Sequence, residues 1–322
     1  MVESQALFQV RKTMKLTIDN VELTLSHPLK GNIEWIGQSE SMRQLLACWL
    51  VLSDQDFPLV PRIIGPPGIG KTTLAIAAAR SRGQDVYVMQ CTSDTRPEDL
   101  LVTPVLSEQG KISYHASPLL SAVLTGGVGI LDEGNRMSEK SWASLAGLFD
   151  NRRTVESVVA GITITAHKDF RAAVTMNEDS STFEIPDYIM SRLQPGIQIP
   201  FPDREDELKI LKYNIPFSSE EILDLCIEFL QKAHRLDLPY SIRDGINIMR
   251  YSLKLGQAER DIKAAEIFNK AVLQILGEEA LDMENLAARR KLSGEHLPSM
   301  SMGDFFFTDD DELNPDSDEN EQ

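Results

Sequence analysis

Apolar residues along this chain keep two rhythms. Up to Pro202, short apolar runs read as buried strands: Val60 to Ile64, Asp85 to Met89, Gly126 to Leu131, Phe170 to Thr175 and Gly196 to Pro200. Between them lie helix-period stretches. Ser41 to Leu52 keeps Met42, Leu45, Leu46 and Leu50 on one side, Leu74 to Arg80 and Leu119 to Leu124 follow, and Ser138 can cap a helix carrying Trp142, Leu145 and Phe149. Strands alternating with helices predict an α/β fold, a parallel sheet between helical layers with any ligand at the strands' carboxyl ends. Three alternating stretches predict hairpins, one around Asp19-Asn20, one about Gln109-Gly110 and one over Thr154 to Thr165 turning near Ala160-Gly161.

From Asp203 the second rhythm takes over. Arg204 to Tyr213, Ser219 to Leu236, Ile242 to Leu255 and Asp261 to Leu276 all have helical period, broken at Pro216, Pro239 and Gly256, which predicts a small, separate all-α domain. Past Leu292 periodicity is lost, and the chain runs into Asp304-Phe305-Phe306-Phe307 and an acidic stretch expected to be disordered. The three phenylalanines read either as a docking motif or as a cluster tucked against its own domain.

Charge sharpens this picture. Thirty-two Lys and Arg face 49 Asp and Glu, for a net charge of -17; nine of the acids fall in Gly303 to Gln322, where there is no base, which leaves -8 on the rest. Both parts are acidic, so a non-specific grip on a phosphate backbone is disfavoured, although a local basic channel stays compatible. Cys48, Cys91 and Cys226 are far apart and odd in number, as buried reduced thiols of a cytoplasmic protein would be. The five histidines have no ligand spacing, so no structural zinc is expected. Met1 to Lys15 lacks the apolar centre of a signal peptide and no run reaches ~18 apolar residues, so no membrane insertion is expected.

The candidate chemistry centres on Gly65-Pro66-Pro67-Gly68-Ile69-Gly70-Lys71-Thr72-Thr73, which fits G-x-x-x-x-G-K-[ST] between an apolar run and an Ala-rich helix. Glycines let the backbone curl so that successive N–H groups point at phosphate oxygens, and the helix beginning near Lys71 adds the positive end of its dipole. Lys71 would reach the β- and γ-phosphates of ATP, and Thr72 would be a ligand of Mg²⁺. Asp132-Glu133, closing a buried strand, is the complement. Asp132 can hold Mg²⁺ through water and Glu133 can polarise an attacking water. Asn177, at the end of the following strand, would supply an amide between the γ-phosphate and that water.

Arg192 and Arg243 are candidates to stabilise charge developing on the γ-phosphate, a task a guanidinium can also perform from a neighbouring subunit. By spacing alone each reads as an ordinary surface salt bridge. Ile33 to Gln38, ahead of the first helix, contains Ile36-Gly37, where the glycine lets the backbone approach a flat base; a plain helix-start turn reads equally well.

These residues together resemble the AAA+ ATPases, and within them the MoxR-like branch, over roughly residues 30 to 290. GPPGIGKTT resembles the family's phosphate loop, ILDEGNRM its acidic strand, VTMNE the first sensor, IPDYIMSRL the arginine-finger segment, SIRDG the second sensor and EWIGQSESMRQLL the adenine-side approach. The second and third hairpins fall where this branch places its helix-2 insert and pre-sensor hairpin. The resemblance implies an N-terminal segment over 1–30, an AAA+ nucleotide-binding domain over 31–202, a helical lid over 203–292 and an acidic tail over 293–322. It makes Asn177 the first sensor, Arg192 a finger acting on a neighbour's nucleotide and Arg243 the second sensor, in a hexameric ring.

The sequence departs from the pattern at Gly134, where an apolar residue is usual, at Glu178, where proline usually follows the sensor Asn, and at Leu193, where Phe usually follows the finger. The implied function is a remodelling ATPase or chaperone acting on a protein or protein complex, with a separate partner that can carry a von Willebrand factor A domain. Two alternatives stay open: a helicase- or clamp-loader-like ATPase acting on nucleic acid, and a slow nucleotide-dependent assembly switch.

Overall fold

A computed structural model describes residues 14–31, 33–106, 110–177, 184–258 and 262–293. Its strands are β1 (Lys15–Ile18), β2 (Val21–Thr24), β3 (Arg62–Gly65), β4 (Val86–Gln90), β5 (Val102–Leu106), β6 (Ile112–Ala116), β7 (Val128–Asp132), β8 (Thr154–Ser157), β9 (Ile162–Thr165), β10 (Arg171–Asn177) and β11 (Gly196–Gln198). Its helices are α1 (Ser39–Cys48), α2 (Lys71–Ser81), α3 (Pro97–Leu100), α4 (Pro118–Thr125), α5 (Glu139–Leu145), α6 (Asp187–Met190), α7 (Arg204–Asn214), α8 (Glu220–Arg235), α9 (Ile242–Ala258), α10 (Ala264–Leu276) and α11 (Met283–Ser293). Among the described residues no helix is long and apolar enough to cross a membrane.

Five of the strands form the expected parallel sheet, in the order β11-β3-β10-β7-β4. β10 lies between β3 and β7, and all seven of its residues are buried. That is why its middle, Ala172 to Val174, reads as apolar without alternation. Its side chains alternate between the two faces: Ala172, Val174 and Met176 enter the core with Trp142 and Phe170, while Ala173 enters the opposite core with Trp49 and Leu74. The helices α7 to α10 enclose a third apolar cluster of their own.

The strands of all three expected hairpins pair, with Gln109 of the second turn lying outside the described residues. Asp19 and Asn20 both take positive φ, 46° and 66°, the geometry of a tight two-residue turn between β1 and β2. β5 and β6 pair antiparallel, as do β8 and β9. The first two hairpins are joined, because β2 pairs in parallel with β6 at Leu23–Tyr114 and Thr24–His115, giving a four-stranded sheet ordered β1-β2-β6-β5.

The expected helix limits need correction. The first helix stops at Cys48, short of Leu52: the Trp49 indole donates to Ala172 O at 2.9 Å and the Trp49 carbonyl accepts from Arg171 Nε at 2.8 Å, which turns the chain inward and leaves Leu50 half exposed. The helical part also holds a fifth helix, α11, beyond the four read from periodicity, and α9 runs on through Gly256 to Ala258, so the break expected there does not occur. Phe149 lies past the end of α5 rather than on it. The Phe305 to Phe307 cluster and most of the tail lie outside the described residues, as does Glu178.

Candidate functional site

β3 ends at Gly65, and the chain turns through Pro66 to Gly70 before α2 begins at Lys71. Lys71 is buried, and its Nζ donates to the carbonyls of Gly65 and Pro66, each at 2.8 Å. The amine therefore lies inside the curl of the loop, where the N-terminal dipole of α2 also points. Gly68 has φ 81°, and a Cβ there would come within 2.3 Å of Ser241 Oγ and 3.0 Å of Arg243 Cβ. Only glycine lets the loop lie this close to the start of α9.

Next to the loop, Asp132 ends β7 and its Oδ1 accepts from two hydroxyls, Thr72 Oγ1 at 2.5 Å and Thr175 Oγ1 at 2.6 Å. Thr175 also accepts from the backbone N–H of Glu133 at 3.0 Å. Glu133 itself has φ 56°, an uncommon conformation for a residue with a side chain and one that recurs at functional sites. Its carboxylate has two neighbours: Asn177 Nδ2 donates to Oε1 at 3.1 Å, and Arg136 Nε lies 2.7 Å from Oε2. Asn135 Nδ2 in turn donates to the Asn177 carbonyl at 2.8 Å. Behind the pair, burial pushes the Cys91 thiol up to about 12, with Asp132 and Glu133 adding to the effect, so Cys91 stays protonated.

A pocket of about 420 Å³ opens beside the loop, between the segment of Ile33 to Ile36, the backbone of Gly68 to Gly70, and α7 and α9. Ile36 lines it, as expected. The open side of Gly37 instead receives Asp206 of α7, since a Cβ at Gly37 would fall 2.3 Å from the Asp206 carboxyl carbon, and Gln38 N–H donates to Asp206 Oδ2 at 2.9 Å. Arg243 lines the pocket, and so do Asn247 and Arg250 of the same helix face.

Arg192 lies elsewhere. β11 begins at Gly196, which is in register with Arg62, the first residue of β3, whereas the phosphate loop follows the last residue of β3. Arg192 precedes Gly196, and its partners are Asp150, with Nε and Nη2 each 3.4 Å from Oδ2, and the Tyr188 carbonyl. The segment bearing Arg192 is thus at the amino end of the sheet and the phosphate loop at the carboxyl end.

Residues 62–193 match the family model of the AAA domain, dynein-related subfamily. This is an AAA+ domain of the MoxR-like branch. The chain is 27% identical over 206 residues to the gas vesicle ATPase GvpN of Haloferax mediterranei, covering 57% of this chain and 59% of that protein. It is 23% identical over 239 residues to von Willebrand factor A domain-containing protein 8 of Mus musculus, covering 66% of this chain and 12% of that one. The chain therefore spans about three fifths of GvpN, the first of these relatives. In fold it is similar to a mutant of RuvB from Thermotoga maritima, with a TM-score of 0.51 and 17% identity over 74% of this chain and 70% of that one.

Within the AAA+ domain, two departures from the family pattern have packing reasons. A Cβ at Gly134 would come within 2.4 Å of Val174 Cγ1 and 3.3 Å of Trp142, so there is no room for the usual apolar side chain. Leu193 is fully buried in the core with Phe170 and Ile189, and a leucine fills that place as an apolar residue must. Thr175, Arg136, Asn247 and Arg250 join the site without having been read from the sequence. Thr175 was accessible by strand period, two positions before Asn177, and Arg250 by helix period, seven after Arg243.

Proposed function

We propose that this chain is an ATP-hydrolysing remodelling ATPase or chaperone of the MoxR-like type, acting on a protein or protein complex as a hexameric ring in the cytoplasm. The observation that carries this reading is the hydrogen-bonded set Thr72, Asp132, Thr175, Glu133 and Asn177, gathered where the carboxyl ends of β7 and β10 meet the start of α2 beside a glycine-rich loop.

Each residue has a task that follows from its place. The loop N–H groups and Lys71 would hold the phosphates of ATP, with the base in the pocket bounded by Trp35, Ile36 and Tyr213. Thr72 and Asp132 offer the hard oxygen donors that fit Mg²⁺, which when bound neutralises charge on the β- and γ-phosphates. Glu133 takes up and orients the attacking water, and Asn177 fixes the carboxylate that does so. Arg243, from a lid formed by α7 to α11, reaches the same nucleotide. Arg192 acts on the nucleotide of an adjacent copy, because its own phosphate loop is at the other end of the sheet.

The similarity to a protein named for its von Willebrand factor A domain supports a partner carrying such a domain. The net charge of -17 weighs against the nucleic-acid alternative, for which stimulation by DNA would be the sign. A slow assembly switch would show as one turnover per binding event.

The test is ATP turnover against protein concentration, with mass photometry in parallel, for the wild type, Glu133→Gln and Arg192→Ala. A rate per subunit that rises with assembly and is lost in both variants, while Glu133→Gln still binds ATP and forms rings, supports the motor. Concentration-independent activity of a monomer, untouched by Arg192→Ala, overturns the ring mechanism.

A further inference from the structure

Asp150 follows α5 at the amino end of the sheet, on a stretch whose preceding residues Leu148 and Phe149 are buried in the core. Its carboxylate is shared by two arginines. Arg152 takes one side of it in a forked contact, Nε to Oδ1 at 3.1 Å and Nη2 to Oδ2 at 2.8 Å, and its backbone N–H adds a third bond to Oδ1 at 3.0 Å. Oδ2 also faces Nε and Nη2 of Arg192, both at 3.4 Å. The remaining nitrogen of Arg192, Nη1, donates to the Tyr188 carbonyl. Arg152, and then Arg192, hold the Asp150 carboxyl down to about 2, so it is ionised across the working range of pH.

A guanidinium stabilises a transferring phosphoryl group only if it arrives in a fixed orientation, and a long, flexible side chain does not hold one by itself. Here the Arg192 plane is gripped from one edge by Asp150 and from its third nitrogen by Tyr188 O, and both gripping groups stand on backbone next to buried side chains, Phe149 and Ile189. Arg152 is 63% exposed and Arg192 28%, against 17% for Asp150, so the carboxylate is the inner member of the trio and the arginines the outer ones. Ion pairs at a partly exposed surface contribute little to folding stability. Their consequence is orientation.

We propose that Asp150 is the positioning residue for Arg192, holding its guanidinium in the attitude in which an adjacent copy of the chain receives it. This rests on the reading of Arg192 as a group acting between subunits. In this role Asp150 acts only through Arg192, and its effect belongs to the neighbour's site.

Mixed assemblies separate the possibilities. Asp150→Ala and Asp150→Asn should lower turnover about 100-fold at saturating ATP, the scale of an angstrom-level misplacement, with ATP binding and melting temperature unchanged. Each variant keeps its own Lys71, Glu133 and Asn177. Mixing it with Glu133→Gln, which cannot turn over but retains Asp150 and Arg192, should therefore restore at least about ten-fold more turnover than either alone. Asp150→Asn retains the shape of the side chain and guards against a folding defect in Asp150→Ala. Wild-type turnover in both Asp150 variants overturns the proposal. So does failure of their mixtures with Glu133→Gln while an Arg192→Ala mixture recovers. If the Arg192→Ala mixture itself fails, or Arg192→Ala alone keeps full turnover, the reading of Arg192 falls first.

Discussion

Asn177 Nδ2 donates to Glu133 Oε1 at 3.1 Å across 44 residues of sequence, tying the end of β10 to the residue just past the end of β7. The bond exists because β7 and β10 are neighbours in the sheet and because Glu133 bends into a positive φ, which swings its carboxylate toward Asn177. A carboxylate held this way is oriented by the fold itself, and orientation is what the water-activating role proposed for Glu133 requires. Replacing it tests the role directly. Glu133→Gln should bind ATP with near wild-type affinity and lose about 1,000-fold or more in turnover, read by fluorescent-nucleotide binding beside a steady-state phosphate assay.

Thr175 gives a subtler result. Its hydroxyl donates to Asp132 and accepts from the Glu133 N–H, so it braces both acids at once. Thr175→Val keeps the shape and removes both bonds. Turnover should fall about 10- to 100-fold with little change in KM for ATP, and more Mg²⁺ should be needed for half-maximal rate, as expected when a group behind a metal ligand is lost. Unchanged Mg²⁺ dependence would separate Thr175 from the role given to Asp132.

Gly134 is constrained by packing. Gly134→Ala places a Cβ only 2.4 Å from Val174 Cγ1 and 3.3 Å from the Trp142 ring, in a core between strand and helix. Overpacking of that kind costs about 1–3 kcal/mol and should lower the melting temperature by several degrees, measured by calorimetry or circular dichroism. Gly134→Ala with Val174→Ala should recover much of the loss, because the second change removes the obstructing methyl group.

What could be read in the sequence followed the range of each signal. The phosphate loop was legible because its motif is local, nine consecutive residues whose chemistry depends on their own backbone. The hairpins were legible for the same reason, from turn residues between alternating stretches. The parallel pairing of Leu23 with Tyr114 was not, because nothing near either residue encodes a partner so distant in the chain. The end of α1 was missed because Trp49 is turned inward by Ala172 and Arg171, a tertiary choice that overrides helical period. Asp150 carries no motif at all. Its relation to Arg192 arises only when the segment after α5 and the segment before β11 meet at the amino end of the sheet.

A last expectation concerns pH and the helical part of the chain. Glu207 on α7 is fully buried, with its Oε2 accepting from Gln231 Nε2 at 2.7 Å, and burial pushes its carboxyl from 4.5 up to about 7. Between those values the folded chain holds a proton that the unfolded chain has released, so stability falls as pH rises through this window. Above about pH 7 the full penalty applies, on the order of 3 kcal/mol. His234, whose Nδ1 is 3.7 Å from Glu207 Oε1, is shifted down by burial, and its contribution runs the other way: complete above its ordinary 6.5 and lost as pH falls below it. The two slopes oppose each other in the wild type, and Glu207→Gln removes one of them. The variant should melt higher than the wild type at about pH 8, and the advantage should shrink as pH is lowered toward 4.5, where Glu207 is increasingly protonated in both states. A melting-temperature difference that stays constant over the whole range would show that Glu207 does not titrate in this window.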